Sequence, residues 1–199
     1  MTRTELINGL IKKNNYKSYL EIGVNTPAQP GYNWVGVEIE TKHGVDPNVD
    51  TTYKMESDEF FNHHIKEKYD IVFVDGLHIF EQVHRDIMNS LDNLNDGGII
   101  VVHDCNPVTE ITQRRNRANP GAWHGDVWKS IVKLRVENPD LEVYTVDTDE
   151  GCGIIRVGNQ ELLEVNDKED VYDFNYLDSN RELALNLISV NEFKEKYLS

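Results

Sequence analysis

Two short stretches of this chain bring together side chains able to move a proton or hold an ion: Asp75-Gly76-Leu77-His78 and His103-Asp104. Each follows a run of branched apolar residues, IVFV (71–74) and IIVV (99–102). An aspartate at a strand end, with a histidine three residues on, projects both groups towards one crevice. An imidazole near its ordinary pKa of ~6.5 accepts a proton at neutral pH. The hard carboxylates of Asp75 and Asp104, with open positions, suit Mg²⁺ or Mn²⁺, and the imidazole of His103 shifts the balance towards Mn²⁺ or another transition metal. Plainer roles stand beside these. Asp75 could cap a following helix, His78 could simply bond to Asp75, and His103-Asp104 could be a polar terminus satisfying loop backbone.

Two more acids fall at the same kind of position. Glu21 lies in YLEIGV (19–24), where Gly23 permits close approach of the backbone to a nucleotide-like ligand. A second acid is expected about 20 residues later, on ribose hydroxyls. Glu38 in GVE (36–38) and Asp46 in GVDP (44–47) both qualify. Asp46 is preferred because it leaves room for a helix between the strands and Pro47 stops the second one. Glu38 stays open. His43, His63, His64 and His84 have no strand-end position and read as surface or packing residues.

The elements that must position these groups follow from periodicity. Runs at 71–74 and 99–102 are near-continuous in Ile, Val and Phe, as in parallel strands buried on both faces. Shorter runs at 19–22 and around 44–45 supply two more strands. Between the main runs, Phe80, Val83, Ile87, Leu91 and Leu94 recur at steps of three and four, the apolar face of a helix that Asn95-Asp96-Gly97-Gly98 closes. Further helices are expected over residues 5–14, from Ser57 or Asp58 onward, over 127–136, and over 180–198. Residues 141–146 and 153–157, joined by DTDEG (147–151), suit a hairpin. The alternation predicts an α/β fold: a doubly wound, Rossmann-like sheet, mostly parallel with a C-terminal antiparallel hairpin and helices on both faces. In such sheets ligands bind beyond the carboxyl ends of the strands, where these acids converge. Residues 1–158 form the expected domain, and 159–199 an acidic extension ending in a helix.

Composition narrows the function classes. The chain has 199 residues and a formal net charge of −15, which argues against nucleic-acid or anionic-membrane partners. No apolar run approaches the ~20 residues of a membrane span, and the N-terminus lacks a signal peptide's apolar stretch. Cys105 and Cys152 make no disulfide framework. A cytoplasmic protein is expected, and a homo-oligomer is compatible with it. The acidity is uneven: residues 140–199 carry a net −10, whereas 110–135 carry +4. That basic stretch overlaps a long connection, about 107–125, of the kind that serves as a lid or binding loop. Arg114, Arg115 and Arg117 could grip a phosphate or uronate there, and Trp123 and Trp128 could stack on a sugar face. Against this, an arginine cluster is often a solvated surface, and Trp128 at helical spacing reads as core.

Taken together, YLEIGV (19–24), GVDP (44–47), SDEFF (57–61), YDIVFVDGLHIFEQVHRDI (69–87), LNDGGIIVVHDCNP (94–107) and GDVWK (125–129) resemble the class I S-adenosylmethionine-dependent methyltransferases. The closest branch is that of metal-dependent sugar O-methyltransferases, including those of macrolide sugars. By position, the resemblance implies Glu21 and Gly23 at the methionine part of the cofactor, Asp46 on ribose, and Ser57 and Asp58 near adenine. It implies a divalent metal on Asp75 and Asp104, with His103 beside them, and His78 as general base. In-line methyl transfer to a hydroxyl of a sugar or glycan-like small molecule would follow. The branch typically carries an acid where His103 stands. It also has a Gly-bearing turn after Val24, where this chain has NTPAQPG (25–31) with two prolines that lack backbone donors.

Two other classes compete. A non-catalytic ligand-binding protein on the same fold would tolerate the altered 25–31 loop. A nicotinamide-dependent oxidoreductase needs G-x-G-x-x-G after the first strand, which Gly23-Val24-Asn25-Thr26-Pro27 does not supply.

Overall fold

The computed structural model describes residues 1–29, 32–117, 121–165 and 170–199. Pro30, Gly31 and Pro120, placed in loops by the sequence reading, lie outside the described residues. Seven strands form one sheet: β1 (Ser18–Ile22), β2 (Thr41–Val45), β3 (Tyr69–Val74), β4 (Leu94–Val102), β5 (Leu141–Val146), β6 (Cys152–Val157) and β7 (Leu187–Ile188). Their order is β2-β1-β3-β4-β6-β5-β7. The first four are parallel, β6 runs antiparallel to β4 and β5, and β7 is parallel to β5. The predicted α/β architecture, including the antiparallel hairpin, is the one observed.

Alternation of side chains along each strand divides the core into two layers. On one face Leu20, Ile22, Val72, Val74, Ile100 and Val102 pack under α4 (Phe80–Asp92), α5 (Trp128–Glu137) and α6 (Phe174–Leu185). On the other, Tyr19, Ile71, Phe73, Ile99 and Val101 pack under α1 (Arg3–Asn14) and the C-terminal Phe193 and Tyr197. Trp128 is fully buried in the first layer, as core. The shorter helices α2 (Asn33–Gly36) and α3 (Ser57–Glu59), the latter continuing into a π-helical turn Phe60–His64, lie in the crossovers flanking β2.

Two elements differ from the sequence expectation. The helix expected to reach Leu94 ends at Asp92, and Leu94 instead begins β4, paired with Tyr69. Leu94 is buried either way, so a step of three from Leu91 could not distinguish a helix face from a strand entering the same core. The single helix expected over 180–198 is broken. Asn186 takes a left-handed conformation (φ 46°) at the end of α6, and its side-chain amide donates to the carbonyl of Val143. Leu187–Ile188 then joins the sheet edge. Ser189 and Glu192 form a capping box that starts α7 (Val190–Phe193), which continues into a π-helical turn Lys194–Leu198. The S-x-x-E spacing at 189–192 was the sequence signal for this restart.

Candidate functional site

A cavity of ≈ 550 Å³ opens beyond the carboxyl ends of β1, β2 and β3. Of the residues proposed from sequence, Glu21, Gly23, Asp46, Ser57, Asp58, Asp75, His78 and Trp123 line it, whereas Glu38 is exposed elsewhere.

Glu21 sits inside β1, 2% exposed. The Tyr19 hydroxyl donates to its Oε2, and the Asn33 amide of α2 donates to the same oxygen (3.2 Å) and to the Tyr19 hydroxyl (2.7 Å). Thr4 of α1 in turn donates to Asn33 Oδ1 (2.9 Å). Burial pushes the Glu21 carboxyl up to about 8, against the help of Tyr19 and Asn33, so it holds its proton at neutral pH until a cation faces it. Gly23 ends the strand with φ +87°, and a Cβ there would lie 2.3 Å from the Asp75 carbonyl oxygen. Only glycine lets the ends of β1 and β3 approach this closely. Asp46, at the end of β2, shapes the cavity wall. Its Oδ2 accepts from the Asn25 N–H (3.0 Å) and its Oδ1 from the Asn48 N–H (2.8 Å).

At the α4 side, Gln82 gathers the acids. Its amide donates to Ser57 Oγ (3.1 Å), Asp58 Oδ1 (3.0 Å) and Asp86 Oδ1 (3.1 Å). Asp86, 1% exposed, is raised to about 6 by burial, against hydrogen bonds from Ser57 and Gln82.

Beyond β3 and β4, Asp75, His78 and Asp104 offer three donor atoms within 4.8 Å of one another. His78 Nε2 is 3.4 Å from Asp75 Oδ1, and its Nδ1 is 3.2 Å from Asp104 Oδ2. Nδ1 is also 3.2 Å from the Trp123 carbonyl oxygen, and the His78 ring stacks on the Trp123 indole at 4.9 Å between centroids. A carbonyl only accepts, so this contact places the proton on Nδ1 and leaves Nε2 as the basic nitrogen of the neutral ring. Burial opposes charge on His78, but Asp75 and Asp104 hold its pKa above the ordinary value.

His103 stands apart from that trio. Its Nδ1 lies 3.4 Å from both Asp75 Oδ1 and Asp104 Oδ1, and its Nε2 lies 3.6 Å from Asp149 Oδ1. Burial favours the neutral ring, yet these three carboxylates raise its pKa well above the usual value. Asp75, despite its burial, is in turn held well below the carboxylate range by His103 and His78. Asp104 adopts φ +60°, a left-handed turn that brings it back over the strand end.

The basic loop divides. Trp123 reaches the cavity, its Nε1 donating to the Arg114 carbonyl (2.6 Å). Arg114 and Arg115 line a separate concavity of ≈ 480 Å³ with Asp126 and Lys129. The Arg115 guanidinium is already paired with Glu81 (2.6 Å) and Asp126 (3.2 Å).

Sequence reasoning passed over Arg3, Gln82, Asp86, His124, Asp149 and Glu150. His124 is 2% exposed, with Nε2 2.9 Å from Glu150 Oε2 and 3.9 Å from Asp104 Oδ1. Gln82 and Asp86 lie four apart on α4, so the helical spacing carried a signal. The others arrive from the N-terminus, the loop before α5 and the β5–β6 turn, and no local pattern links them to the strand ends.

Residues 11–105, a little under half of the chain, match the family described as Methyltransferase domain (Methyltransf_24). By sequence, no curated protein matches the chain. Among solved structures, an SAH-bound methyltransferase of Podospora anserina is similar at 17% identity and TM-score 0.54, over 79% of this chain and 78% of that one. The SAM-bound O-methyltransferase TomG of Streptomyces achromogenes, involved in tomaymycin synthesis, is similar at 15% identity and TM-score 0.54, over 79% and 80% of the two chains. The fold is that of S-adenosylmethionine-dependent methyltransferases, and the matched domain together with it supports an enzyme of that kind. Among the described residues, no helix is long and apolar enough to cross a membrane.

Proposed function

We propose that this protein transfers a methyl group from S-adenosylmethionine to a hydroxyl of a small molecule, of sugar or glycan-like chemistry. One observation carries the reading. The basic Nε2 of His78 and the carboxyl of Asp75 stand together on the wall of a cavity that also contains Glu21 and Asp46. Six acidic side chains among the described lining residues suit a ligand bearing a sulfonium and an ammonium group and disfavour the anionic pyrophosphate of a dinucleotide. Bound there, the cofactor supplies an electrophilic methyl. Glu21 and Asn33 hold its amino-acid end, Asp46 its ribose hydroxyls, and Ser57, Asp58 and Gln82 its purine end.

His78 accepts the hydroxyl proton at Nε2, while the Trp123 carbonyl keeps Nδ1 protonated and the indole fixes the plane of the ring. A hydroxyl is a poor nucleophile until its proton leaves, so this proton transfer and the alignment of the oxygen are the protein's main contributions. Asp75 and Asp104 would hold a divalent cation with an imidazole, that of His78 or of His103, completing the donor set. The cation would lower the hydroxyl's pKa. The clustering of donor atoms of Asp75, His78 and Asp104 within 4.8 Å of one another supports such a cation with His78 as the imidazole. The flat indole of Trp123 at the cavity supports a sugar-like acceptor.

Calorimetry with S-adenosylmethionine and, separately, with NAD tests the cofactor assignment. The expected result is saturable binding of the first and none of the second. Binding of NAD alone overturns it, and binding of S-adenosylmethionine without methyl transfer to any hydroxyl in a broad sugar panel favours the non-catalytic reading. Metal assistance has its own check. Dialysis against a chelator is expected to lower turnover by at least ~100-fold, with Mg²⁺ or Mn²⁺ restoring it. Unchanged turnover in chelator excludes the cation.

A further inference from the structure

The cavity is lined by acids except at one point. Among its described lining residues Arg3 is the only arginine or lysine. It is the first residue of α1, and its placement is fixed from several sides. A Thr2–Glu5 capping box sets the helix start, and the Arg3 backbone N–H donates to Asp149 Oδ2 (2.6 Å). Its Nη1 donates to Asp149 Oδ1 (3.2 Å) and stands 3.5 Å from His103 Nε2. The opposite edge of the guanidinium is different. Among the described residues, Nε is buried with no hydrogen-bond partner and every side-chain hydrogen bond of Arg3 runs through Nη1.

A buried guanidinium nitrogen without an acceptor is uncommon in folded proteins, because the lost hydration has to be replaced. The edge formed by Nε and Nη2 is the planar fork that takes a carboxylate in two parallel hydrogen bonds. Asp149 engages only the other nitrogen, so it orients the fork and leaves Nε without an acceptor among the described residues. The next residue, Thr4, bonds Asn33, which bonds Glu21. The chain from Arg3 to Thr4 and the hydrogen bonds from Thr4 through Asn33 to Glu21 therefore set a cationic fork and a carboxyl on the same cavity wall, the complement of an α-amino acid zwitterion.

We propose that Arg3 is a specificity residue that receives a ligand carboxylate through Nε and Nη2, and that this carboxylate is the one on the amino-acid tail of the cofactor. The proposal rests on the S-adenosylmethionine reading. The shared chemistry, a carboxylate, could also come from the acceptor, and the arms of the test separate the two sources.

S-Adenosylhomocysteine and 5′-methylthioadenosine share purine, ribose and sulfur, and only the first has the amino-acid tail. Each is titrated calorimetrically into wild type, Arg3→Gln and Arg3→Lys, with melting curves recorded for all three. Arg3→Gln is expected to weaken S-adenosylhomocysteine ~10- to 100-fold while 5′-methylthioadenosine changes less than about twofold. Arg3→Lys, which keeps the charge and loses the fork, falls between. Equal weakening of both ligands, or a Gln variant that binds S-adenosylhomocysteine as tightly as wild type, overturns the proposal. Unchanged cofactor affinity with a raised KM for the acceptor moves the carboxylate to the acceptor and overturns the assignment to the tail. A wild-type protein that binds neither ligand defeats the proposed function itself. One that binds both equally well defeats only the role of Arg3.

Discussion

His78→Ala is expected to slow methyl transfer by about 10²- to 10⁴-fold, with S-adenosylhomocysteine affinity changed by less than about threefold. The range is that of a positioned general base. The geometry favours the catalytic step over binding because His78 meets the cavity beside Asp75 and Trp123, on a different strand end from Glu21 and Asp46. The measurement is single-turnover transfer at saturating cofactor, beside calorimetric titration of S-adenosylhomocysteine. Titration of Mn²⁺ into the same variant decides how the imidazole is used. A base needs Nε2 free, so metal affinity should persist in His78→Ala. A ligand spends that lone pair on the cation, so affinity should fall with turnover. His103→Ala supplies the contrast, because the ring of His103 is 8% exposed and its nitrogens already face Asp75, Asp104 and Asp149. Wild-type turnover in His78→Ala excludes both roles.

The sheet was legible in the sequence because its strands are dense in Ile, Val and Phe. Glu21, Asp46, Asp75, His103 and Asp104 were legible for a related reason. A polar residue in or just after an apolar run of a parallel sheet lies near the carboxyl edge, so Glu21, Asp46 and Asp75 reach the cavity wall, whereas His103 and Asp104 lie beside it without lining it. The preference for Asp46 over Glu38 rested on room for a helix between the strands. In the structure Asp46 lines the cavity, while the Glu38 N–H donates to Asn8 away from it. What the sequence hid comes from far along the chain. Asp149 meets Arg3 across 146 positions, and His124 meets Glu150 only because the β5–β6 turn folds back over the strand ends. That turn places Asp149 and Glu150 at φ 47° and 62°, conformations that no apolar period announces. Of the three arginines that the basic loop brought to attention, Arg115 shows the same limit. Local charge was visible, whereas the pairing of Arg115 with Glu81 and Asp126 was not.

Gly125→Ala should damage the site as severely as removing His78, without touching a reactive group. Gly125 has φ +61°, and a Cβ built on it would lie 1.8 Å from the His78 carbonyl oxygen and 2.7 Å from the His78 Cβ. Neither partner is the movable end of a long side chain, so the backbone of one segment must give way. The neighbours of Gly125 set what is lost. Trp123 holds the His78 ring, His124 faces Asp104 and Glu150, and Asp126 Oδ1 accepts from the Phe80 N–H at the start of α4 (2.7 Å). Separating the two segments therefore displaces His78 and loosens the start of α4 together. The left-handed backbone adds ~1–2 kcal/mol for a residue with a Cβ, and the collision ~1–3 kcal/mol. A combined loss of ~2–5 kcal/mol corresponds to a melting temperature lower by roughly 5–15 °C. Methyl transfer is expected to fall at least ~100-fold, while S-adenosylhomocysteine, which the proposed function assigns mainly to β1, β2 and α3, loses less than about tenfold. Gly121→Ala is the control. It lies in the same loop, also at positive φ (+148°), but its added Cβ meets nothing within 4 Å among the described residues, so it should retain the wild-type rate. If both alanine variants lose turnover equally, the loop acts through its backbone freedom. If Gly125→Ala alone does, the close approach to His78 holds the base in register with the cofactor.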